Sequence, residues 1–323
     1  MKCVGTFDAS SFVSMKMNHC LLPLALVLSI SCSQEKSEGT NSIELQLRNL
    51  TSILTNLETT DDLNTFLEYY DQHTISMPEY QLTLHGRQEI ETFYREIFNR
   101  QNIKNFQREA HEFIHMNETT VEIGSFKKEY TDSRTDTLIS LNGKYWMVWE
   151  RQSDDSFKLK GEAFGFFHDV KHPESLVVSM DKTQPDESDI PSEREVPFEL
   201  KAYNALMEKG VRSRDGILRS AFFMNDGSFY PFADTAVTGM DQIKPYLMEY
   251  SSRGTVTIDS IMCYTYDYKT LGDYILEYDM FKVKWSVPNF SGRTEGKGIR
   301  IWKRQEDKSL RLYREIGTHN HLE

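Results

Sequence analysis

His111 and His115 stand four residues apart, the spacing at which two imidazoles on one helix face share a metal ion. The residues around them alternate apolar and polar, so the stretch reads as a strand instead. At about 3.3 Å per residue the two rings are roughly 13 Å apart, too far to share a metal through bonds of about 2 Å. His319 and His321 read as a fraying terminus that chelates weakly at best, and His168 has no visible partner. No metal site is expected. General acid–base chemistry needs an ionisable group inside an apolar pocket. The side chains whose positions suit it are His73, His115 and Glu162 in the N-terminal half, and Asp279 and Glu315 in the C-terminal half. Cys263 is the one cysteine beyond Cys3, Cys20 and Cys32, so neither a disulfide framework nor a thiolate metal site is available to the body of the chain. It reads as a small buried hydrophobe. Glycine-rich phosphate loops, serine elbows and zinc motifs are absent from the sequence, and no cofactor is expected.

Aromatic residues make up 12% of the 323 residues and offer a second kind of chemistry, the lining of a pocket. Tyr70, Tyr94, Trp146, Trp149, Tyr230, Tyr246, Tyr278 and Trp302 are the ligand-pocket candidates, with ordinary core filling as the competing reading. Alternation puts Trp149 on one strand face with Tyr145 and Met147, and Trp146 with Val148 on the other. Arg151 and Arg304 either meet an acidic ligand or pair with Glu on a neighbouring strand, and pairing is the expectation.

The elements that position these residues occur twice. Trp149-Glu150-Arg151-Gln152-Ser153-Asp154-Asp155-Ser156-Phe157-Lys158-Leu159 recurs as Trp302-Lys303-Arg304-Gln305-Glu306-Asp307-Lys308-Ser309-Leu310-Arg311-Leu312, a shift of 153 positions (302 minus 149). The same shift pairs Gly143 with Gly296, Ile90 with Ile243, Gly86 with Gly239 and Pro78 with Pro231. A register held this long marks a duplicated domain, since solenoid repeats are much shorter. Each repeated segment reads as a strand, a turn through Asp154 or Asp307, and the start of another strand.

In the first copy, apolar residues from Leu45 to Leu57 recur at three and four, as in an amphipathic helix. Thr60-Asp61-Asp62 starts a second helix, His73–Pro78 is a short extended piece, and Gly86 opens a third helix. The period then falls to two over 106–116, 120–131, 135–150 and 157–167, with Asn142-Gly143 expected as a hairpin turn. The second copy repeats the order, with Asn225-Asp226-Gly227 expected to turn a hairpin. Helices followed by strands give an α+β class in each copy, about three helices packed on a curved antiparallel sheet. The domains run over 43–170 and 197–320, joined by a Pro-rich polar linker over 171–196 in which Val177, Val178 and Met180 dock at most locally.

The composition is globular, with 39% apolar and 27% charged residues. A formal charge of −12 speaks against a nucleic-acid partner. The run Leu21–Ile30 is too short to span a bilayer, and after Lys16 it reads as an export signal. Its ending, Ser29-Ile30-Ser31-Cys32, resembles a bacterial lipobox, although Ser29 stands where leucine is commoner. That resemblance implies residues 1–32 as a signal peptide starting at Met1, Met15 or Met17, lipidation of Cys32, a tether over 33–42, and a protein anchored in the periplasm or outer membrane.

Asp71-Gln72-His73-Thr74-Ile75-Ser76-Met77-Pro78, followed by Gly86-Arg87-Gln88-Glu89-Ile90-Glu91-Thr92-Phe93-Tyr94, resembles the nuclear-transport-factor-2-like (NTF2-like) superfamily, which includes ketosteroid isomerase and the SnoaL-like cyclases. The resemblance implies two cones, each a bent sheet wrapped round helices and a mostly apolar pocket. It also implies pairing through the sheets, either between the two copies in one chain or in a homodimer. Where the isomerase has its general base, this chain has Met77 and Tyr230; the oxyanion tyrosine position falls near Ile53 and Leu206, with Tyr203 a displaced substitute. Neither Met77 nor Tyr230 takes a proton as a carboxylate does at neutral pH. The expectation is an exported, lipid-anchored module that binds a small apolar ligand or a protein, without ketosteroid isomerase activity. The alternative is a SnoaL-like isomerase, cyclase or hydrolase acting on a small apolar substrate in one cone.

Overall fold

The computed structural model describes residues 25–182 and 195–321 of the chain. The start-codon alternatives, the apolar run from Leu21 to Leu24 and the middle of the linker lie outside the described residues, and only the backbone of Cys32 is described. Among the described residues no helix is long and apolar enough to cross a membrane.

Helix α1 (Ala25–Thr59) includes residues 33–42, expected as a tether, within its helical backbone. From Leu47 onward the residues buried on one side are Leu47, Thr51, Leu54 and Glu58, spaced four, three and four apart. Helix α2 (Leu63–Glu68) starts at Asp62, whose carboxylate accepts from Thr65 N at 3.2 Å. Strands β1 (Tyr70–Pro78) and β2 (Leu84–His85), helix α3 (Gly86–Arg100), and strands β3 (Gln101–Met116), β4 (Thr119–Asp132), β5 (Thr137–Arg151) and β6 (Phe157–Phe166) complete the first half. The second half repeats the order with α4 (Phe198–Arg212), α5 (Gly216–Ser220), β7 (Phe223–Tyr230), β8 (Val237–Thr238), α6 (Met240–Ser252), β9 (Thr257–Leu271), β10 (Tyr274–Val287), β11 (Phe290–Arg304) and β12 (Leu310–His319).

The sheets have the orders β2-β1-β6-β5-β4-β3 and β8-β7-β12-β11-β10-β9. Each is mixed and not wholly antiparallel, because β1 lies parallel to β6 and β7 parallel to β12. A strand joined to its neighbour through a whole domain is free of the hairpin constraint that makes the other long pairs antiparallel. Both parallel pairs carry the same bulge: Tyr70 and Ile75 oppose Leu159 and Gly161, and Phe223 and Ser228 oppose Leu312 and Arg314.

Two turn expectations fail. Asn142-Gly143 lies inside the unbroken β5, where Gly143 pairs with both Phe126 and Phe166. A Cβ on Gly143 would meet Phe126 Cζ at 2.3 Å, and one on Gly296 would meet Phe281 Cζ at 2.3 Å. The glycine is there to seat an aromatic ring over the strand. Asn225-Asp226-Gly227 lies inside β7, at its bulge. The repeated Trp segment does form the expected strand–turn–strand. Asp154 accepts from Ser156 N at 3.1 Å, and Asp307 accepts from Ser309 N at 2.9 Å.

The helices pack on one face of each sheet, and the other faces meet in a shared apolar core. Met77, Ile123, Trp146, Val148 and Ala163 of the first sheet pack there with Tyr278, Met280, Ile299, Ile301 and Ile316 of the second. The Tyr278 hydroxyl occupies the space a side chain on Gly161 would need, and Trp146 meets the Tyr230 ring edge-on at 5.6 Å. Equivalent lysines close the two ends. Lys144 Nζ donates to Phe166 O at 3.0 Å and Asp234 O at 2.8 Å, and also to Pro231 O. Lys297 Nζ donates to Asn320 Oδ1 at 2.7 Å and to Gln81 O. Both lysines are fully buried, so these carbonyls replace the water that their ammonium groups lose. Arg314 adds a two-point bridge to Glu112 at 2.7 and 2.9 Å. The described start of the linker docks on the first half. Leu176 and Val178 are buried there, and Gln81 exchanges two hydrogen bonds with Val178.

Candidate functional site

The helix-covered face of each sheet holds a buried carboxylate served by the repeated tryptophan. Glu122 on β4 accepts from Trp149 Nε1 at 3.0 Å, Tyr145 OH at 2.7 Å and Thr51 Oγ1 at 2.8 Å. Glu277 on β10 accepts from Trp302 Nε1 at 2.6 Å and from Thr265, which in turn accepts from Asn204 at 3.0 Å. Removing the indole donor leaves a buried acceptor one bond short. Trp302→Phe, and likewise Trp149→Phe, is therefore expected to lower unfolding stability by about 1–3 kcal/mol in denaturant titration. A loss under about 0.5 kcal/mol, typical of surface changes, would show the indole N–H to be idle.

Beyond this shared feature the two interiors differ. In the first, Glu162 accepts from Ser76 Oγ at 2.6 Å, Tyr70 OH at 3.0 Å and Tyr94 OH at 3.1 Å, and burial raises its carboxyl. Glu58 pairs with Arg108 and, at 3.5 Å, with Lys128. The space left is a cavity of about 60 Å³, bordered by Tyr94, Phe126, Tyr145, Phe164 and Phe166. That holds a few waters and falls well short of the ~150 Å³ that admits benzene.

The second interior keeps a cavity of about 410 Å³, within the range of small-molecule pockets. Phe229, Phe232, Ile261, Phe281, Val283 and Trp285 make its apolar wall. The repeat explains the contrast. Phe164 on β6 stands 153 positions before Gly317 on β12, and Tyr145 on β5 the same distance before Gly298 on β11. Nothing lies within 4 Å of where a Cβ on Gly317 would sit, so the second half is empty where the first carries a phenyl ring.

Arg300 sits at the wall of this pocket among three carboxylates. Its Nε donates to Glu315 at 2.8 Å, Nη2 lies 2.9 Å from Asp279, and Nη1 lies 3.8 Å from Glu277. Burial, with Glu277 and Glu315 close by, pushes the Asp279 carboxyl up to about 7 against the pull of Arg300. Cys263 also lines the pocket, and burial pushes its thiol up to about 12, so it is no thiolate nucleophile at neutral pH. His319 closes the far side, its ring stacked 4.1 Å from Phe232 and edge-on to Phe281 at 5.6 Å. Burial, helped by Lys297, pushes its imidazole down to about 4. It is a strand residue with a packed ring, and the expectation of a frayed terminus is corrected.

No protein-family model matches the sequence, and no curated protein does. Solved structures similar to the chain include a ketosteroid isomerase-like protein from Erwinia carotovora atroseptica SCRI1043, at 10% identity and TM-score 0.34, covering 36% of this chain and 89% of that one. ActVI-ORFA from Streptomyces coelicolor is similar at 16% identity and TM-score 0.33, covering 38% and 96%. An NTF2-like protein from Cytophaga hutchinsonii ATCC 33406 is similar at 14% identity and TM-score 0.29, covering 36% and 90%. Each covers about the length of one half. The strand order of the chain itself, three helices on one face of a six-stranded mixed sheet, carries the assignment. Both halves have the NTF2-like cone fold.

The NTF2-like cones place the sequence-derived candidates as follows. Glu162 and Glu315 occupy matching places inside the two cones, at the cavity walls, and Asp279 stands behind Glu315 on Arg300. His73 is exposed on the β1 bulge, and His115 bonds Thr120 Oγ1 at 3.1 Å; neither borders a cone cavity. Of the aromatic candidates, Tyr94 and Trp146 border the small first cavity. Tyr230 and Tyr278 belong to the core between the sheets, and Tyr70, Trp149 and Trp302 spend their polar atoms on Glu162, Glu122 and Glu277. Tyr246 donates to Asp234 at 3.2 Å. None of the eight lines the larger pocket. Tyr203, the displaced oxyanion candidate, donates to Leu310 O. Arg151 pairs with Asp155 of the following turn at 2.9 Å and Arg304 with Glu199 of α4 at 2.8 Å, so both arginines pair with acids, but neither with the expected Glu on a neighbouring strand. Among the pocket residues missed from sequence are Gly317, Arg300, Arg219 and His319. The shift of 153 does align Phe164 with Gly317 and Met147 with Arg300, a signal visible only once the cone interior is known to be the face that matters.

Proposed function

We propose that the protein is a small-molecule-binding module whose ligand site is the second cone, with the first cone as its filled structural partner. The observation that carries this is the difference in free volume, about 410 Å³ against about 60 Å³, produced by Gly317 standing where the first cone has Phe164. Binding is favoured over turnover because the carboxylate, thiol and imidazole at the wall, the groups that would act as base or nucleophile, are already committed. Glu315 is held by Arg300, the Cys263 thiol is protonated, and His319 is packed between two rings. Export and lipidation at Cys32 belong to the same proposal, supported by the sequence pattern alone, and would hold the module at a membrane surface. The test is calorimetry of the full chain with naphthalene-2-carboxamide, a planar neutral probe suited to the aromatic wall, alongside native mass spectrometry of the purified protein for a retained small molecule. One equivalent of probe bound per chain is the expected result. Two equivalents would mean that the first cone also opens, and no binding would remove the second cone as a ligand site.

A further inference from the structure

We propose that the ligand of the second cone is an apolar monoanion of the carboxylate class, its charged head bound by Arg219 and its body lying among the aromatic rings of the pocket. This rests on reading the second cone as a ligand site. Arg219 is on α5 and lines the cavity. Its Nε is sealed from solvent without a hydrogen-bond partner, and among the described residues its guanidinium forms no ion pair. Its neighbour is the ring of Tyr250, 5.6 Å away. Tyr250 also lines the pocket and is 42% exposed, which puts this end of the cavity near solvent.

Other arginines of this cone are engaged. Arg300 has its carboxylates, Arg304 has Glu199, Arg253 has Glu249 and Arg314 has Glu112. Acids on the same side are occupied elsewhere: Glu315 by Arg300, and Glu208 as acceptor for Cys263 N at 2.8 Å. The repeat sharpens the point. Position 219 matches Phe66 of the first cone at the shift of 153, and Phe66 is a core ring packed on Tyr70, Tyr94 and Phe98. The second cone has thus exchanged a core phenyl for a cation in the same place that it keeps an open pocket. A guanidinium partly withdrawn from water beside an apolar wall is unfavourable until an anion meets it, and a carboxylate matches its planar donor fork.

The test compares naphthalene-2-carboxylate with naphthalene-2-carboxamide by calorimetry on the full chain and on Arg219→Met, which keeps the length and apolar character of the side-chain stem. The wild type is expected to bind the carboxylate about tenfold or more tighter than the carboxamide, the usual scale of a charge-assisted bond. Arg219→Met should erase that preference, binding the two probes about equally, while a thermal melt on the same preparation shows that the variant is folded. Arg219→Lys should restore part of it. Equal binding of the two probes by the wild type, or an undiminished preference in Arg219→Met, overturns the anion assignment and leaves the pocket standing. Failure of both probes to bind the wild type removes the pocket and this inference together.

Discussion

Gly317→Phe is expected to weaken binding of the neutral naphthalene probe at least about a hundredfold, the equivalent of about 3 kcal/mol, while leaving the unfolding temperature unchanged or raised. The substitution writes into β12 the residue that β6 carries at the matching position, Phe164. Gly317 has no positive φ that a side chain would strain, and a Cβ there meets nothing within 4 Å. The new ring therefore enters free space and gains contacts instead of overpacking a filled core. Calorimetry with the probe and a thermal melt on the same preparation separate blocking from unfolding. A stable Gly317→Phe protein that binds the probe like the wild type would show that the ligand lies elsewhere.

The second large effect belongs to Arg300. Its guanidinium is the cation shared by Glu277, Asp279 and Glu315, and the carboxylates sit at most 8% exposed. Arg300→Met leaves buried like charges without a counter-ion, a loss of about 3–5 kcal/mol near neutral pH by the usual cost of breaking a buried pair. The loss should shrink in acid. In the wild type the Asp279 carboxyl is at about 7, above the ordinary 3.8. The folded state thus holds a proton that the unfolded chain has released between those values. Stability from this group is present below the unfolded value and is lost as pH rises through 7. Without Arg300 the folded Asp279 carboxyl rises further, so denaturant midpoints at pH 5 and pH 8 should show the variant much closer to wild type at pH 5. Adding Asp279→Asn should recover part of the loss at pH 8. An equal loss at both pH values would mean that Arg300 acts by packing and not by charge.

The duplication, the element order and the strand–turn–strand around each repeated tryptophan were legible in the chain, because they rest on local periodicity and on a register of 153 positions that needs no coordinates. Side-chain alternation also sorted Trp149 from Trp146 onto opposite faces. What alternation cannot say is which face meets helices and which meets another sheet. That is why Tyr230 and Tyr278 read as pocket residues although they belong to the core between the sheets. Local turn chemistry misled for the same reason: Asn142-Gly143 has the composition of a hairpin, but its glycine answers to Phe126 on the neighbouring strand. His319 near the chain end looked frayed until Phe232 and Phe281, distant in sequence, were packed on its ring.

By itself, then, the sequence of this protein determined two copies of one α+β fold, since period and register are properties of the chain alone. Only the tertiary structure decided that the second copy is open and the first closed. An empty volume has no residues of its own; it exists where side chains from several strands stop short of one another, as they do around Gly317.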